Sequence, residues 1–263
     1  NPGGDEVEMR LSTMPTAFGE KLVMRIFDPD NTVKSFEALG FAPAEKKVWE
    51  QLVARPHGII LVTGPTGSGK TTTLYSTLKR VATDEVNVCT IEDPIEYLFD
   101  FPQGLVSQRE VGKHTESFSQ ALRAALREDP DVIFVGEMRD LETMRLALQA
   151  AETGHLVIST LHTAGASRTI SRVVDVFPSD QQSVVRTILA GAIEGIISQE
   201  LIVGASGKRL LVPEVLIGTP GVRALIRDGK FHQIEHLMQT SVDVGMQTRA
   251  RAIERLRAQQ LLN

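Results

Sequence analysis

Between Val7 and Phe27 two short apolar-rich runs, V-E-M-R-L-S-T and K-L-V-M-R-I-F, flank the turn-forming stretch Met14-Pro15-Thr16-Ala17-Phe18-Gly19, and both runs predict strands. Two strands bury no face by themselves. Residues 1–30 therefore read as the end of a domain whose beginning is missing, with residues 31–41 as a linker. From residue 42 the pattern changes. It predicts a helix over 44–54, a buried strand over 58–63, a helix after Lys70, strands over 87–91, 132–135 and 156–160, and a helix over 117–127. Helices alternating with short β-branched runs indicate an α/β domain with a mainly parallel sheet, here residues 42–205. From residue 179 onward the chain reads as helical. Over 180–201, Val184, Val185, Ile188, Leu189, Ile193, Ile196 and Ile197 recur at helical spacing as a core face, and residues 206–263 follow as a mainly helical C-terminal region.

Composition narrows the class. With 263 residues, 42% apolar and 23% charged, the chain is long and apolar enough to bury a full core. Lys plus Arg at 28 against Asp plus Glu at 33 leaves a net charge of −5, which argues against a duplex nucleic-acid binder and leaves a local basic groove open. The single cysteine, Cys89, forms no intramolecular disulfide or multi-cysteine zinc cage and reads as an apolar filler in a buried strand; a cytosolic compartment is the simplest reading. No run approaches the eighteen or so apolar residues of a membrane span.

Two motifs carry candidate chemistry. Gly64-Pro65-Thr66-Gly67-Ser68-Gly69-Lys70-Thr71 fits G-x-x-x-x-G-K-[ST], follows an apolar strand and opens a helix. Such a loop turns successive backbone N–H groups toward a phosphate chain at a helix N-terminus. Lys70 would then reach the β- and γ-phosphates, Thr71 would offer its hydroxyl to Mg²⁺, and Thr72 would add a phosphate contact. His232-Gln233-Ile234-Glu235-His236 fits the H-x-x-E-H of inverted zinc proteases, but only Glu254 stands downstream as a third ligand, so a solvated helix face is the preferred reading.

The loop has helpers downstream. Asp131-Val132-Ile133-Phe134-Val135-Gly136-Glu137 reads as a buried strand ending in an acid, the position from which NTPases of this kind polarise water or order Mg²⁺. Thr90-Ile91-Glu92-Asp93-Pro94-Ile95-Glu96 ends another strand in three carboxylates, where open sheets bind ligands. His155 and His162 bracket the run L-V-I-S-T-L; His162 is placed to meet a γ-phosphate or to be satisfied in a core.

G-P-T-G-S-G-K-T-T-T, T-I-E-D-P-I-E, D-P-D-V-I-F-V-G-E-M-R-D and G-H-L-V-I-S-T-L-H-T together resemble the nucleotide-site boxes of the secretion ATPase superfamily, the motors of type II secretion and type IV pili. The resemblance implies a hexameric cytoplasmic ATPase, peripheral to the inner membrane, with a PAS-like N-terminal domain joined flexibly to a RecA-like P-loop domain. It also implies ATP and Mg²⁺ at the site and an inner-membrane platform protein as partner, with neither a stable nucleic-acid partner nor zinc. By the same resemblance Gly64 to Thr72 and Asp93 hold the nucleotide, Thr71 meeting its metal. Glu137 is the catalytic acid of an atypical second Walker motif, with Gly136 in place of the usual metal-coordinating Asp. Glu92, Asp93 and Glu96 form an aspartate box and His162 a histidine box, while Arg10 and Arg25 approach the nucleotide from the N-terminal domain. M-R-L-S-T-M-P-T-A-F-G-E-K-L-V-M-R is similar to the secretion and pilus-assembly motors, a branch that usually carries a tetracysteine insertion, yet Val203-Gly204-Ala205-Ser206-Gly207 runs straight on. R-E-D-P-D-V-I-F-V-G-E-M-R-D-L-E-T-M-R-L-A-L and Gly245-Met246-Gln247-Thr248 are similar to the retraction motors, so the direction of work stays open. The competing readings are a RecA-like nucleic-acid translocase and the zinc peptidase.

Overall fold

The computed structural model describes residues 8–27, 34–99 and 105–262, with the side chains of 8–10 and 25–27 outside the description. The linker expected at 31–41 thus falls partly outside the described residues, as do the side chains of Arg10 and Arg25. Strands β1 (Glu8–Thr16) and β2 (Gly19–Phe27) form an antiparallel hairpin that sets Arg10 opposite Arg25. Thr16 Oγ1 closes its turn by donating to the Gly19 carbonyl at 2.7 Å.

The second sheet has seven strands in the order β5-β4-β6-β7-β3-β8-β9. They are β3 (Gly58–Thr63), β4 (Val88–Glu92), β5 (Val106–Glu110), β6 (Val132–Val135), β7 (Leu156–Leu161), β8 (Ile193–Val203) and β9 (Arg209–Ile217). All neighbours pair in parallel except β8 with β9. β3, β4, β6 and β7 are buried along their whole length because helices cover both faces, which is why they read as unbroken apolar runs. Alternate residues divide between two cores. Ile60, Val62 and Phe134 pack with Trp49 and Leu52 of α1 (Pro43–Val53) and Leu74 and Leu78 of α2 (Lys70–Val81). On the other face Ile59, Leu61 and Val135 pack with α3 (Phe118–Ala125), α4 (Leu141–Glu152), α5 (Ala166–Asp175) and α6 (Gln182–Ala192). α7 (Pro220–Arg227), a 3-10 turn at Phe231–Gln233, α8 (Ile234–Thr240) and α9 (Arg249–Ala258) complete the chain. No described helix is long and apolar enough to cross a membrane.

The structure corrects the helical reading of 180–201. α6 ends at Ala192, and Ile193, Ile196 and Ile197 lie in β8, which pairs with β3 through Ile60↔Gly195 and Val62↔Ile197. A short apolar run satisfies helix and buried-strand patterns alike, and the β-branched content together with Gly195 decides for the strand. A Cβ at Gly195 would lie 2.6 Å from Leu52 Cδ1, so the glycine lets α1 close on the sheet. The division expected at 205/206 falls in the turn between β8 and β9, and helices resume only at Pro220.

α1 is fastened to the C-terminal segment by a buried carboxylate. Glu45 accepts from Ala42 N at 2.7 Å, from Gln247 Nε2 at 2.6 Å and from Arg255 Nη1 of α9. We expect Glu45→Ala to cost about 2 kcal/mol, since it removes three hydrogen bonds, one of them from a charged guanidinium. Urea unfolding of the variant measures this, and an unchanged midpoint would contradict it.

Candidate functional site

The loop from Gly64 to Gly69 leaves the end of β3 and curls back into α2, whose first residue is Lys70. Gly64 sits at φ +135° with its α-carbon so close to β8 that a Cβ would lie 2.1 Å from the Gln199 carbonyl oxygen. Gly69, at φ +89°, ends the loop as the N-cap of α2 without a capping side chain, leaving the helix's first N–H groups to the loop. Thr66 to Thr72 line an open cavity of about 970 Å³ at the carboxyl ends of the parallel strands. Gly64 and Pro65 contribute carbonyls: Lys70 Nζ donates to them at 2.6 and 3.0 Å. Lys70 is 7% exposed, and burial lowers its pKa while the nearby Glu137 charge opposes the shift.

From Lys70 a line of polar side chains crosses the cavity along the strand ends. His162, just past β7, has Nδ1 3.5 Å from Lys70 Nζ and Nε2 3.2 Å from Glu137 Oε1. Arg139 donates from Nε to Glu137 Oε2 at 2.8 Å, and its Nη1 stands 3.6 Å from Asp93 Oδ2. Gly136 lets β6 end close to β4: a Cβ there would lie 3.2 Å from the Ile91 carbonyl oxygen.

The aspartate-box carboxylates separate in space. Asp93 faces Arg139, whereas Glu92 turns into the protein, 4% exposed. Its Oε1 accepts from Thr90 Oγ1 at 2.6 Å and from Gln108 Nε2 at 3.2 Å, and its Oε2 accepts from the Tyr75 hydroxyl. Burial raises the Glu92 pKa, and the three donors work against that rise. The same hydroxyl accepts from Glu96 N at 2.9 Å, so Tyr75 of α2 ties Glu92 and Glu96 together. Glu92, Asp93 and Glu96 all line the cavity.

Sequence reasoning did not single out Arg139, Tyr75, Gln108 or Gln199. Arg139 lies two residues past Glu137 in the same box and was within reach of the motif; the others come from α2, β5 and β8 and are joined to the site only by folding. His155 sits at the opposite end of β7, its Nδ1 3.1 Å from the Ala150 carbonyl oxygen. His232, Glu235 and His236 are exposed on the 3-10 turn and α8. Among the described residues no group of three or more His, Cys, Asp or Glu side chains is arranged to hold a metal ion. Cys89 is buried in β4, its thiol pushed up to about 11 by desolvation.

The residues fit a phosphate chain. A cradle that excludes a Cβ at Gly64, an uncapped helix start and a buried lysine converge, and Ser68 Oγ lies buried in the loop without a partner among the described residues. For a divalent cation accompanying the phosphates the chain offers the Thr71 hydroxyl, and Glu137 lines the same cavity.

A family model described as type II/IV secretion system protein matches residues 2–256. The chain is 49% identical over 232 residues to a "Type IV pilus retractation ATPase PilT" of Pseudomonas aeruginosa, covering 88% of this chain and 66% of that protein. It is 54% identical over 202 residues to a "Type IV pilus assembly ATPase TfpB" of Acinetobacter baylyi, covering 76% of this chain and 33% of that protein. A crystal structure of the pilus retraction motor PilT with bound ADP superimposes with a TM-score of 0.86 at 46% identity, covering 97% of this chain and 71% of that one. The chain thus spans just under two thirds of the first relative and one third of the second.

Proposed function

The chain belongs to the type II/IV secretion system protein family, and on that premise we propose that it is the ATP-hydrolysing part of a type IV pilus motor of the retraction type. It works as a hexamer on the cytoplasmic side of the inner membrane, against a membrane platform protein. The observation that carries the reading is the unbroken line Lys70–His162–Glu137–Arg139 beside the phosphate loop. Retraction rather than assembly is supported by the uninterrupted turn between β8 and β9 at residues 204–208.

In this reading the loop N–H groups hold the α- and β-phosphates of ATP, and Lys70 exchanges the Gly64 and Pro65 carbonyls for β- and γ-phosphate oxygens. Mg²⁺ with Thr71 would supply charge neutralisation of the phosphates. Water attacks the γ-phosphorus, the bridging β–γ P–O bond breaks, ADP leaves, and Glu137 takes the proton of the attacking water. Arg139 and His162 fix the Glu137 carboxylate from both oxygens so that one lone pair faces the water. Tyr75 holds the Glu92 carboxylate and the Glu96 backbone N–H at the cavity edge, and Asp93 holds the far end of Arg139.

Arg10 and Arg25, opposite each other in the hairpin, complete the site from a neighbouring protomer. An arginine at the γ-phosphate is worth roughly 10³ to 10⁵ in rate. Phosphate release per protomer should therefore climb steeply with protein concentration, and Arg10→Ala or Arg25→Ala should flatten the curve. Turnover independent of concentration and indifferent to both substitutions would show that the site is complete within one chain.

A further inference from the structure

Three residues on neighbouring strands form a polar row across the sheet. Thr63 of β3 pairs in register with Ser198 of β8, and Ser198 with Glu214 of β9. All three reach the segment between His162 and the first turn of α5. Ser198 Oγ accepts from Gly165 N at 2.9 Å, Glu214 Oε1 accepts from Ala166 N at 2.6 Å, and Thr63 Oγ1 accepts from Thr169 Oγ1 at 3.4 Å. Thr169 Oγ1 in turn lies 2.7 Å from Thr163 Oγ1, next to His162. α5 has no capping side chain of its own: its N-cap is Gly165, at φ +91°. A helix start without a cap leaves N–H groups that need acceptors and attracts negative charge. Here two other strands supply both.

We infer that Ser198 and Glu214 are positioning residues for His162: as a cross-strand pair they cap α5 in place of a local residue, and so set where the histidine stands between Lys70 and Glu137. The inference rests on the proposed ATPase reading for its kinetic consequence, but the geometry is independent of it. Only three residues, Thr163 to Gly165, separate His162 from α5. A shift of the helix start is therefore transmitted to the segment that carries His162, and a displacement near 1 Å at a reacting site can cost roughly 10² in rate.

The test compares Glu214→Ala, Glu214→Gln, His162→Ala and the double variant His162→Ala/Glu214→Ala. Glu214→Ala should lower kcat about tenfold while KM for ATP stays within about twofold, and Glu214→Gln, which keeps an oxygen acceptor, should restore most of the rate. The double variant should be no slower than His162→Ala alone, because the carboxylate acts through the histidine. Additive losses, an unaffected Glu214→Ala, or a Glu214→Gln as slow as Glu214→Ala would each overturn the inference. If Glu214→Ala fails to fold, Ser198→Ala removes the neighbouring bond and takes its place. A second readout needs no turnover: the His162 ring resonances, identified by their loss in His162→Ala, should shift in Glu214→Ala, and unchanged resonances would overturn the assignment. A wild-type protein without turnover would defeat the ATPase reading and leave the resonances to decide the positioning role.

Discussion

Lys70→Ala is expected to remove tight ATP binding. Lys70 is buried at the mouth of the loop, and its ammonium donates to the Gly64 and Pro65 carbonyls. Those two bonds are neutral-acceptor bonds; exchanging them for phosphate oxygens turns them into bonds between full charges. At about 1.5 to 3 kcal/mol for each charge-assisted contact, losing two weakens binding by roughly 10² to 10⁴. Within the loop no other side chain carries positive charge, so nothing compensates. Calorimetric titration with a non-hydrolysable ATP analogue checks this, with a melting curve to confirm that the variant folds. Affinity within threefold of wild type would remove the loop from the nucleotide site.

How much of this was legible before the structure differs by element. The sequence pattern marks β3 and β6 to the residue because both faces of each are covered, which makes the whole run apolar. β5 was not read at all: Val106-Ser107-Gln108-Arg109-Glu110 is half-buried at a sheet edge and carries no apolar period, and its pairing with β4 supplies the order that composition lacks. β8 was read as helix because isoleucines at 193, 196 and 197 fit either period. At the site the loop, Glu137 and His162 were visible because each is a strand-end residue within a short motif. The direction in which each carboxylate faces was not visible. Glu92 and Asp93 are adjacent in sequence, yet one is held inward by Tyr75, Thr90 and Gln108 and the other outward by Arg139, and that choice depends on donors contributed by α2 and β5 and by the segment after β6.

The same geometry makes Glu137→Gln the sharper test of the chemistry, since it changes one atom and leaves the shape. Glutamine keeps an oxygen that can accept from Arg139 Nε, so the loop, Lys70 and Thr71 should still hold ATP, and affinity should stay close to wild type. What is lost is the group that takes the proton from the attacking water, and loss of a general base costs roughly 10² to 10⁴ in rate. Two readouts separate this from structural damage. Nucleotide affinity should hold or rise, because an ion paired with His162 and Arg139 is replaced by a neutral amide near the γ-phosphate. Turnover should fall by at least about 10² across a protein-concentration series, since assembly supplies arginine and not the base. A variant that still turns over near the wild-type rate would move the proton-accepting role to Glu92 or Glu96.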